Sequence, residues 1–187
     1  MKVGLITHPD CELHDTGRGH PERAARLRAV WRGALAGAGS SARVIEAEPI
    51  EQHLLYLVHT PSFVHRARAA CSSDVAYLDS PDNTISQDSF RAALAAAGTA
   101  RSACTMVMEG RLRRAFCAVR PPGHHAMPGR AMGFCMFNNV AIAAQWLISG
   151  FGLSRILIID LDGHHGNGTQ TIFYEDPRVL YLSLIHI

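Results

Sequence analysis

Two histidine-containing loops carry the side chains in this sequence that are best suited to catalysis. The first loop, residues 160–165 (DLDGHH), directly follows the apolar run Ile156–Ile159. Extended backbone alternates side-chain direction, so Asp160, Asp162 and His164 project from the same side of the chain. A carboxylate and an imidazole suit Zn²⁺, and a catalytic zinc site keeps about three protein ligands and one open position. The spacing therefore predicts that Asp162 and His164 supply two zinc ligands.

The second loop places His124 and His125 after a Pro-Pro pair. Proline restricts the backbone, so both imidazoles would be held in fixed positions. Because the pKa of histidine lies near neutrality, such a side chain can take a proton from water and return it to a leaving amine. An isolated Asp-x-His could simply be a polar turn. Together, however, the two loops would bury several polar and charged side chains, which costs free energy unless these side chains serve a function. This favours a shared catalytic site.

Hydrophobic periodicity predicts the elements that would position these loops. Strands are predicted at Lys2–Thr7, Ala115–Val119, Arg155–Leu161 and Val179–Leu184. Helices are predicted at Pro21–Ala38, Ile50–Val58, Thr60–Cys71, Gln87–Glu109 and Asn138–Ser149. The alternation implies βαβ units and a parallel sheet in a single α/β domain, with Ile156–Ile159 as a central strand covered on both faces. Ligands bind beyond the carboxyl ends of such strands, so both histidine loops are aimed at one rim.

Composition and charge exclude several classes of protein. The net charge of +2 arises from 18 basic and 16 acidic residues, which gives no reason to expect a nucleic-acid partner. No apolar run approaches the ~18 residues needed to span a bilayer, so no membrane association is expected. Five widely spaced cysteines without a CxxC pair argue against a disulfide framework and favour the reducing cytoplasm.

Three segments carry a family resemblance: RPPGHHA at Arg120–Ala126, GFCMFNN at Gly133–Asn139 and DLDGHHGNGTQ at Asp160–Gln170. They resemble the histone deacetylase family. The stretches His8–Leu27 and Asp82–Gly98 are similar to its class II and bacterial acetylpolyamine-amidohydrolase branch. The resemblance covers nearly the whole chain. It implies a three-layer αβα fold with a mainly parallel central sheet, as in the arginase and deacetylase group.

The resemblance also implies a reaction, the hydrolysis of an acetyl-lysine or acetylpolyamine-type amide with one catalytic Zn²⁺. Asp162 and His164 would bind the metal, and His124 and His125 would lie beside the nucleophilic water. Zinc would polarise the acetyl carbonyl and lower the pKa of water toward ~7. The sequence leaves open whether the substrate is a protein lysine, a polyamine or another amide, and whether copies of the chain form a homo-oligomer.

By the same resemblance, Asp160 and Asn167 would be the hydrogen-bond partners of the paired histidines. Asn167 is neutral and cannot favour an imidazolium as a carboxylate would. We therefore expect His125 to be the general base and then the general acid.

The resemblance assigns three further positions around the predicted site. Gly133 and Phe134 are expected to line a narrow channel for the acyl-lysine-like chain, although Phe134 could instead be an ordinary core residue. Ser183, with main-chain oxygens near Asp160, Asp162 and His164, resembles the structural potassium site of the family.

The end of the sequence departs from the family pattern. Relatives continue past Leu184 with more strands and helices, a third Asp ligand and an oxyanion-stabilising Tyr or His. They also have a His directly after Leu184, where this chain has the tail Ile185–Ile187. We therefore expect a C-terminally truncated domain with little or no deacetylase activity of its own.

Three alternative interpretations fit the sequence less well. An arginase-like manganese ureohydrolase would need a carboxylate at position 166, which is Gly166. A non-catalytic module that binds acetylated partners would have no need of intact paired histidines. His8, Cys11 and His14 could form a second zinc site, but structural zinc normally has four ligands, so a loop at the site entrance is favoured.

Overall fold

The strands of the chain form parallel sheets, as the βαβ alternation predicts. The structure is a computed structural model that describes residues 3–186. Its strands are β1 (Val3–Thr7), β2 (Ala42–Glu46), β3 (Arg114–Cys117), β4 (Ile156–Asp160) and β5 (Val179–Ser183). One sheet has the order β2-β1-β3 and the other pairs β4 with β5, and every pairing is parallel. Strand β2 was not predicted, because two charged residues interrupt its short apolar pattern.

Helices flank these sheets close to their predicted positions. They are α1 (Ala24–Ala38), α2 (Pro61–Cys71), α3 (Ser89–Met108), α4 (Asn139–Phe151) and α5 (Asn167–Phe173). Short 3-10 helices lie at Pro9–Glu12, Gly39–Ser41, Gln52–Leu57 and Leu184–His186. The helix predicted at Ile50–Val58 is therefore a 3-10 helix. Helix α5 was not predicted, because it begins within the Gly- and His-rich loop.

Two predicted features lie partly outside the described residues. Lys2 was assigned to the first strand and Ile187 to the unusual C-terminal tail, and neither residue is described. Within the described range, no helix combines the length and apolarity needed to cross a membrane.

The alanine-rich helix α3 forms the centre of the packing. Its buried Ala103 contributes to one apolar cluster with Ile6 of β1, while Ala93 and Ala97 belong to another. The indole N–H of Trp146 in α4 donates to the Thr105 hydroxyl of α3 at 2.9 Å. Alanines permit this close approach of helices because they have no long side chain to displace.

The start of α4 is fixed by an aromatic and polar cluster next to the histidine loop. Phe137 packs edge-on against Phe63 and Phe90, with ring centroids 5.8 and 5.7 Å apart. The Asn138 side chain accepts a hydrogen bond from the backbone N–H of Ala141 at 3.1 Å, which caps the helix. This cluster anchors the GFCMFNN segment against the core.

Strand β4 differs from the prediction that both of its faces are covered. Ile158 is buried beneath α4 and α5, but Leu157 and Ile159 are 54% and 55% exposed. Among the described residues, β4 pairs only with β5, so it is an edge strand and not a central one. An apolar run indicates that a strand can be covered on both faces. It does not show which other elements pack on those faces in the folded chain.

Candidate active site

The two histidine loops leave β3 and β4 at the carboxyl ends of the strands and meet at one cleft. The cleft encloses about 520 Å³. It is lined by Pro21, Glu22, Arg26, Pro122, His124, His125, Gly133, Phe134, Asp162 and His164. The structure therefore brings six of the eight sequence-predicted site residues to one surface. The other two, Asp160 and Asn167, lie behind the paired histidines.

His124 is held by a carboxylate. Its Nδ1 atom lies 2.8 Å from Oδ2 of Asp160, the last residue of β4. Burial alone would raise the pKa of Asp160, but hydrogen bonds from Tyr181 and His124 lower that pKa below its ordinary value. Asp160 therefore stays ionised. Its Oδ2 atom contacts His124, and its Oδ1 atom accepts the backbone N–H of Asp162 at 3.2 Å.

His125 is held by a neutral amide. Its Nδ1 atom lies 2.7 Å from Oδ1 of Asn167, the first residue of α5. Because an amide oxygen only accepts, Nδ1 carries the proton and Nε2 of the neutral ring is free to accept one. Burial lowers the pKa of His125, and the Asn167 hydrogen bond only partly opposes that shift. The two neighbouring imidazoles, with ring centroids 4.1 Å apart, thus have chemically different partners.

Asp162 and His164 form a pair of adjacent N and O donors at the cleft. Oδ1 of Asp162 lies 2.9 Å from Nδ1 of His164 and also accepts the His164 backbone N–H at 2.8 Å. The His164 ring is 6.1 Å from that of His125. A carboxylate and an imidazole suit zinc, but no third His, Cys, Asp or Glu joins them within residues 3–186. The donors therefore fit zinc in type and fall short of it in number.

Gly133 and Phe134, which were expected to line a substrate channel, both line the cleft, and Gly133 lies against His125. Gly133 has a φ of 57°, and a Cβ there would lie 2.3 Å from Cδ2 of His125. Only glycine fits that approach. The Phe134 ring packs edge-on against His20, with centroids 4.8 Å apart, so the N-terminal loop borders the cleft. His14 of the same loop is buried and hydrogen-bonds to Ser89 at 2.7 Å.

Sequence reasoning missed a buried ion pair at the cleft, between Glu22, which lines it, and Arg120. Arg120 donates from Nε and Nη2 to the two carboxylate oxygens of Glu22 at 2.6 and 2.7 Å, and both side chains are 3% exposed. Arg120 also donates to the carbonyl of Cys11 at 3.2 Å and forms a cis peptide bond with Pro121. The pair ties the N-terminal loop to the histidine loop. The isolated charges in GHPER and RPPGHH were its only signal.

Two aspartates in the segment between α2 and α3 were also missed. Asp79 accepts the backbone N–H of Ala131 at 2.7 Å, and Asp82 accepts that of Gly133 at 3.0 Å. They hold the segment that carries Gly133 and Phe134. Nothing in the sequence relates positions about 50 residues apart, so periodicity could not reveal these contacts.

Ser183 is paired in register with Asp160 at the ends of β5 and β4. Its side chain is buried, and its hydroxyl has no hydrogen-bond partner at normal distance among the described residues. A buried polar atom of this kind ordinarily needs a partner, which a cation or a water would provide.

Comparison with known proteins places this geometry in a family. The model of the histone deacetylase domain matches residues 20–186. Histone deacetylase 5 of Arabidopsis thaliana is 42% identical over 195 residues, which cover 98% of this chain and 30% of that protein. A probable deacetylase of Archaeoglobus fulgidus is 40% identical over 187 residues, which cover 98% of this chain and 51% of that protein.

A solved structure shows the same fold. The crystal structure of the HDA15 HD domain superimposes with a TM-score of 0.90 at 37% identity, covering 97% of this chain and 53% of that one. This match confirms the predicted three-layer α/β fold of the arginase and deacetylase type. The chain spans about half the length, or less, of the relatives it matches. It belongs to the histone deacetylase family.

Proposed function

We propose that this chain carries part of the active site of a zinc-dependent amidohydrolase, which removes acetyl groups from acetyl-lysine or acetylpolyamine-type substrates. The observation that carries the proposal is the convergence of two differently partnered imidazoles with an Asp-His donor pair at one cleft. A hydrolase needs a base for water and an acid for the leaving amine, and histidines with neutral and anionic partners suit these two tasks.

The metal would be held by Asp162 and His164. A bound zinc ion supplies Lewis acidity, which polarises an amide carbonyl and makes water acidic enough to ionise near neutral pH. Catalytic zinc sites ordinarily have three protein ligands. Because the described residues provide two, we propose that the chain alone binds zinc weakly and has little or no deacetylase activity.

The paired histidines would move the protons. His125, with Nε2 free and its pKa lowered by burial, accepts a proton from water and later donates it to the departing amine. His124, whose Nδ1 atom is hydrogen-bonded to ionised Asp160, would be oriented by this anionic partner beside the attacked carbonyl. Gly133 and Phe134 would border the channel for the acylated side chain. The buried Ser183 hydroxyl, which lacks a hydrogen-bond partner among the described residues, would be a ligand of a structural potassium ion behind the site.

The test is a zinc titration of the purified chain in competition with a chromophoric chelator. We expect weak binding of one ion, and we expect Asp162→Asn or His164→Gln to weaken it at least tenfold. His53→Gln, which changes an exposed histidine outside the cleft, is the matched control. Equal zinc affinity in all four proteins would remove the basis for the metal site.

A turnover assay tests the expected lack of activity. The chain with saturating zinc is offered an acetyl-lysine peptide and, separately, an N-acetylated polyamine. We expect no measurable hydrolysis of either. Zinc-dependent turnover would show that two protein ligands suffice, and the preferred amide would identify the substrate class.

A further inference from the structure

The carboxylate of Asp160 has partners at both of its oxygens: Oδ1 accepts the backbone N–H of Asp162 at 3.2 Å, and Oδ2 accepts two side-chain hydrogen bonds. Its Oδ2 atom accepts from His124 Nδ1 at 2.8 Å and from the Tyr181 hydroxyl at 2.7 Å. The Tyr181 oxygen in turn accepts the backbone N–H of Gly166 at 3.0 Å. The Gly166 N–H can only donate and the Asp160 carboxylate can only accept, so the single phenolic proton of Tyr181 is donated to Asp160. The result is one continuous series of hydrogen bonds from Gly166 to His124.

Gly166 is packed against all three groups in this series. A Cβ at position 166 would lie 2.4 Å from the Tyr181 oxygen, 2.5 Å from Asp160 Oδ2 and 3.0 Å from His124 Nδ1. Contacts that short cannot be relieved without displacing a hydrogen-bonded atom. Glycine at this position is therefore required by the arrangement behind His124.

Tyr181 is itself fixed by the sheet. It lies in the middle of β5, in register with Ile158 of β4, and its ring packs against the apolar cluster beneath α4 and α5. It does not line the cleft, and its hydroxyl is linked to His124 through Asp160. Asp160 is the last residue of its strand. Without the Tyr181 hydroxyl, Oδ2 would keep only His124 and Oδ1 would keep the Asp162 N–H, so the carboxylate would be held less firmly in its present rotamer.

We propose that Tyr181 is a positioning residue, whose hydroxyl fixes the Asp160 carboxylate and thereby the orientation and tautomer of His124. The Gly166 N–H in turn fixes the Tyr181 hydroxyl. We call these hydrogen-bonded groups, from Gly166 to His124, the positioning device. The catalytic meaning of this device rests on the proposed function. The device itself exists without turnover, so it can be tested on the chain as it stands.

The test follows the Nδ1 proton of His124 in NMR spectra of the ¹⁵N-histidine-labelled chain. Tyr181→Phe removes one oxygen and keeps the ring. We expect the exchange of this proton with water to accelerate roughly tenfold, the factor equivalent to one hydrogen bond to a charged group, and the ring to populate both tautomers. Tyr174→Phe, at a tyrosine that is 77% exposed, is the matched control and should change neither quantity.

Gly166→Ala provides an independent approach from the backbone side. Because the added methyl displaces the same three groups, we expect the same loss of protection at His124, and we expect the double variant to show no further loss. Circular dichroism and the melting temperature establish that each variant is folded. A folded Tyr181→Phe chain with wild-type exchange and tautomer at His124 would overturn the proposal, and so would an unprotected Nδ1 proton in the wild-type chain.

These outcomes are separate from those of the proposed function. A chain that binds no zinc but shows the Tyr181-dependent change at His124 retains the positioning device and loses the metal site. A chain that binds zinc through Asp162 and His164 but shows no Tyr181 effect retains the metal site and loses the device.

Discussion

The Nδ1 atom of His125 lies 2.7 Å from the amide oxygen of Asn167, and within residues 3–186 it has no carboxylate oxygen as a hydrogen-bond partner. Asn167→Asp replaces this neutral partner with an anion of nearly the same shape. A carboxylate favours imidazolium, so we expect the pKa of His125 to rise by about one to two units. An NMR titration of the histidine side chains measures the change.

The control for this substitution adds the same charge elsewhere. Gln52→Glu lies outside the cleft and should leave the titration of His125 unchanged. If Asn167→Asp also leaves it unchanged, Asn167 does not control the protonation of His125. The assignment of that histidine as the base would then lose its physical reason.

The buried pair of Glu22 and Arg120 should matter far more for stability than exposed ion pairs do. Glu22→Gln leaves the guanidinium buried without its counter-ion, and we expect the free energy of unfolding to fall by about 3 to 5 kcal/mol. Glu12→Gln breaks the exposed pair with Arg28 and should cost less than about 1 kcal/mol. Urea unfolding of both variants compares the two effects directly. Losses of equal size would mean that water reaches the buried pair.

The sequence allowed the chemically active side chains of the site to be predicted much better than the residues that hold them in place. His124, His125, Asp162 and His164 could be identified because each lies in a short motif whose spacing is local. Their supports lie far away in the chain, as Glu22 does 98 residues before Arg120. Such pairings depend on tertiary packing, which no periodicity encodes.

The fold shows the same division between local and long-range information. The bounds of α2 and α4 were nearly correct, because Thr60 and Asn138 are N-caps whose preference is local. Strand β2 was missed and the surroundings of β4 were wrong. Both depend on which neighbours a strand finds in the folded chain, which its own residues do not specify.

Stability should depend on pH through the buried histidine His59. Its Nδ1–H donates to the Met127 carbonyl at 3.0 Å, and its Nε2 accepts the Asn138 N–H at 2.9 Å, so only the neutral ring fits. Burial lowers the pKa of His59 to about 4 from 6.5, despite the opposing hydrogen bond to Met127. The unfolded chain therefore binds more protons than the folded chain between these values. Stability is full above about pH 6.5 and falls as the pH drops toward 4.

The slope attributable to one such histidine is at most about 1.4 kcal/mol per pH unit. His14, whose pKa burial likewise lowers to about 4, contributes similarly. We expect His59→Gln to reduce the acid-limb slope in urea unfolding, followed between about pH 4.5 and 7, by up to about 1.4 kcal/mol per pH unit, whereas exposed His53→Gln leaves it unchanged. An unchanged slope in His59→Gln would mean that the ring is already charged in the folded chain.

The open face of the β4–β5 sheet should make the isolated chain self-associate. Leu157 and Ile159 of β4 lie opposite Leu180 and Leu182 of β5 in register, and all four side chains are exposed on the face away from α4 and α5. Contiguous apolar surface next to a free strand edge favours association with other chains. We expect light scattering of the purified chain to rise with concentration.

Leu157→Lys combined with Leu180→Glu tests whether this face is responsible. The two positions are cross-strand partners, so opposite charges there remove apolar surface and keep the pair attractive. We expect the double variant to scatter much less light with little change in melting temperature. Val140→Lys combined with Val75→Glu introduces the same charges at exposed valines outside the sheet and should not help. Equal scattering by both double variants would locate the self-association elsewhere, because only the first pair alters the uncovered strands.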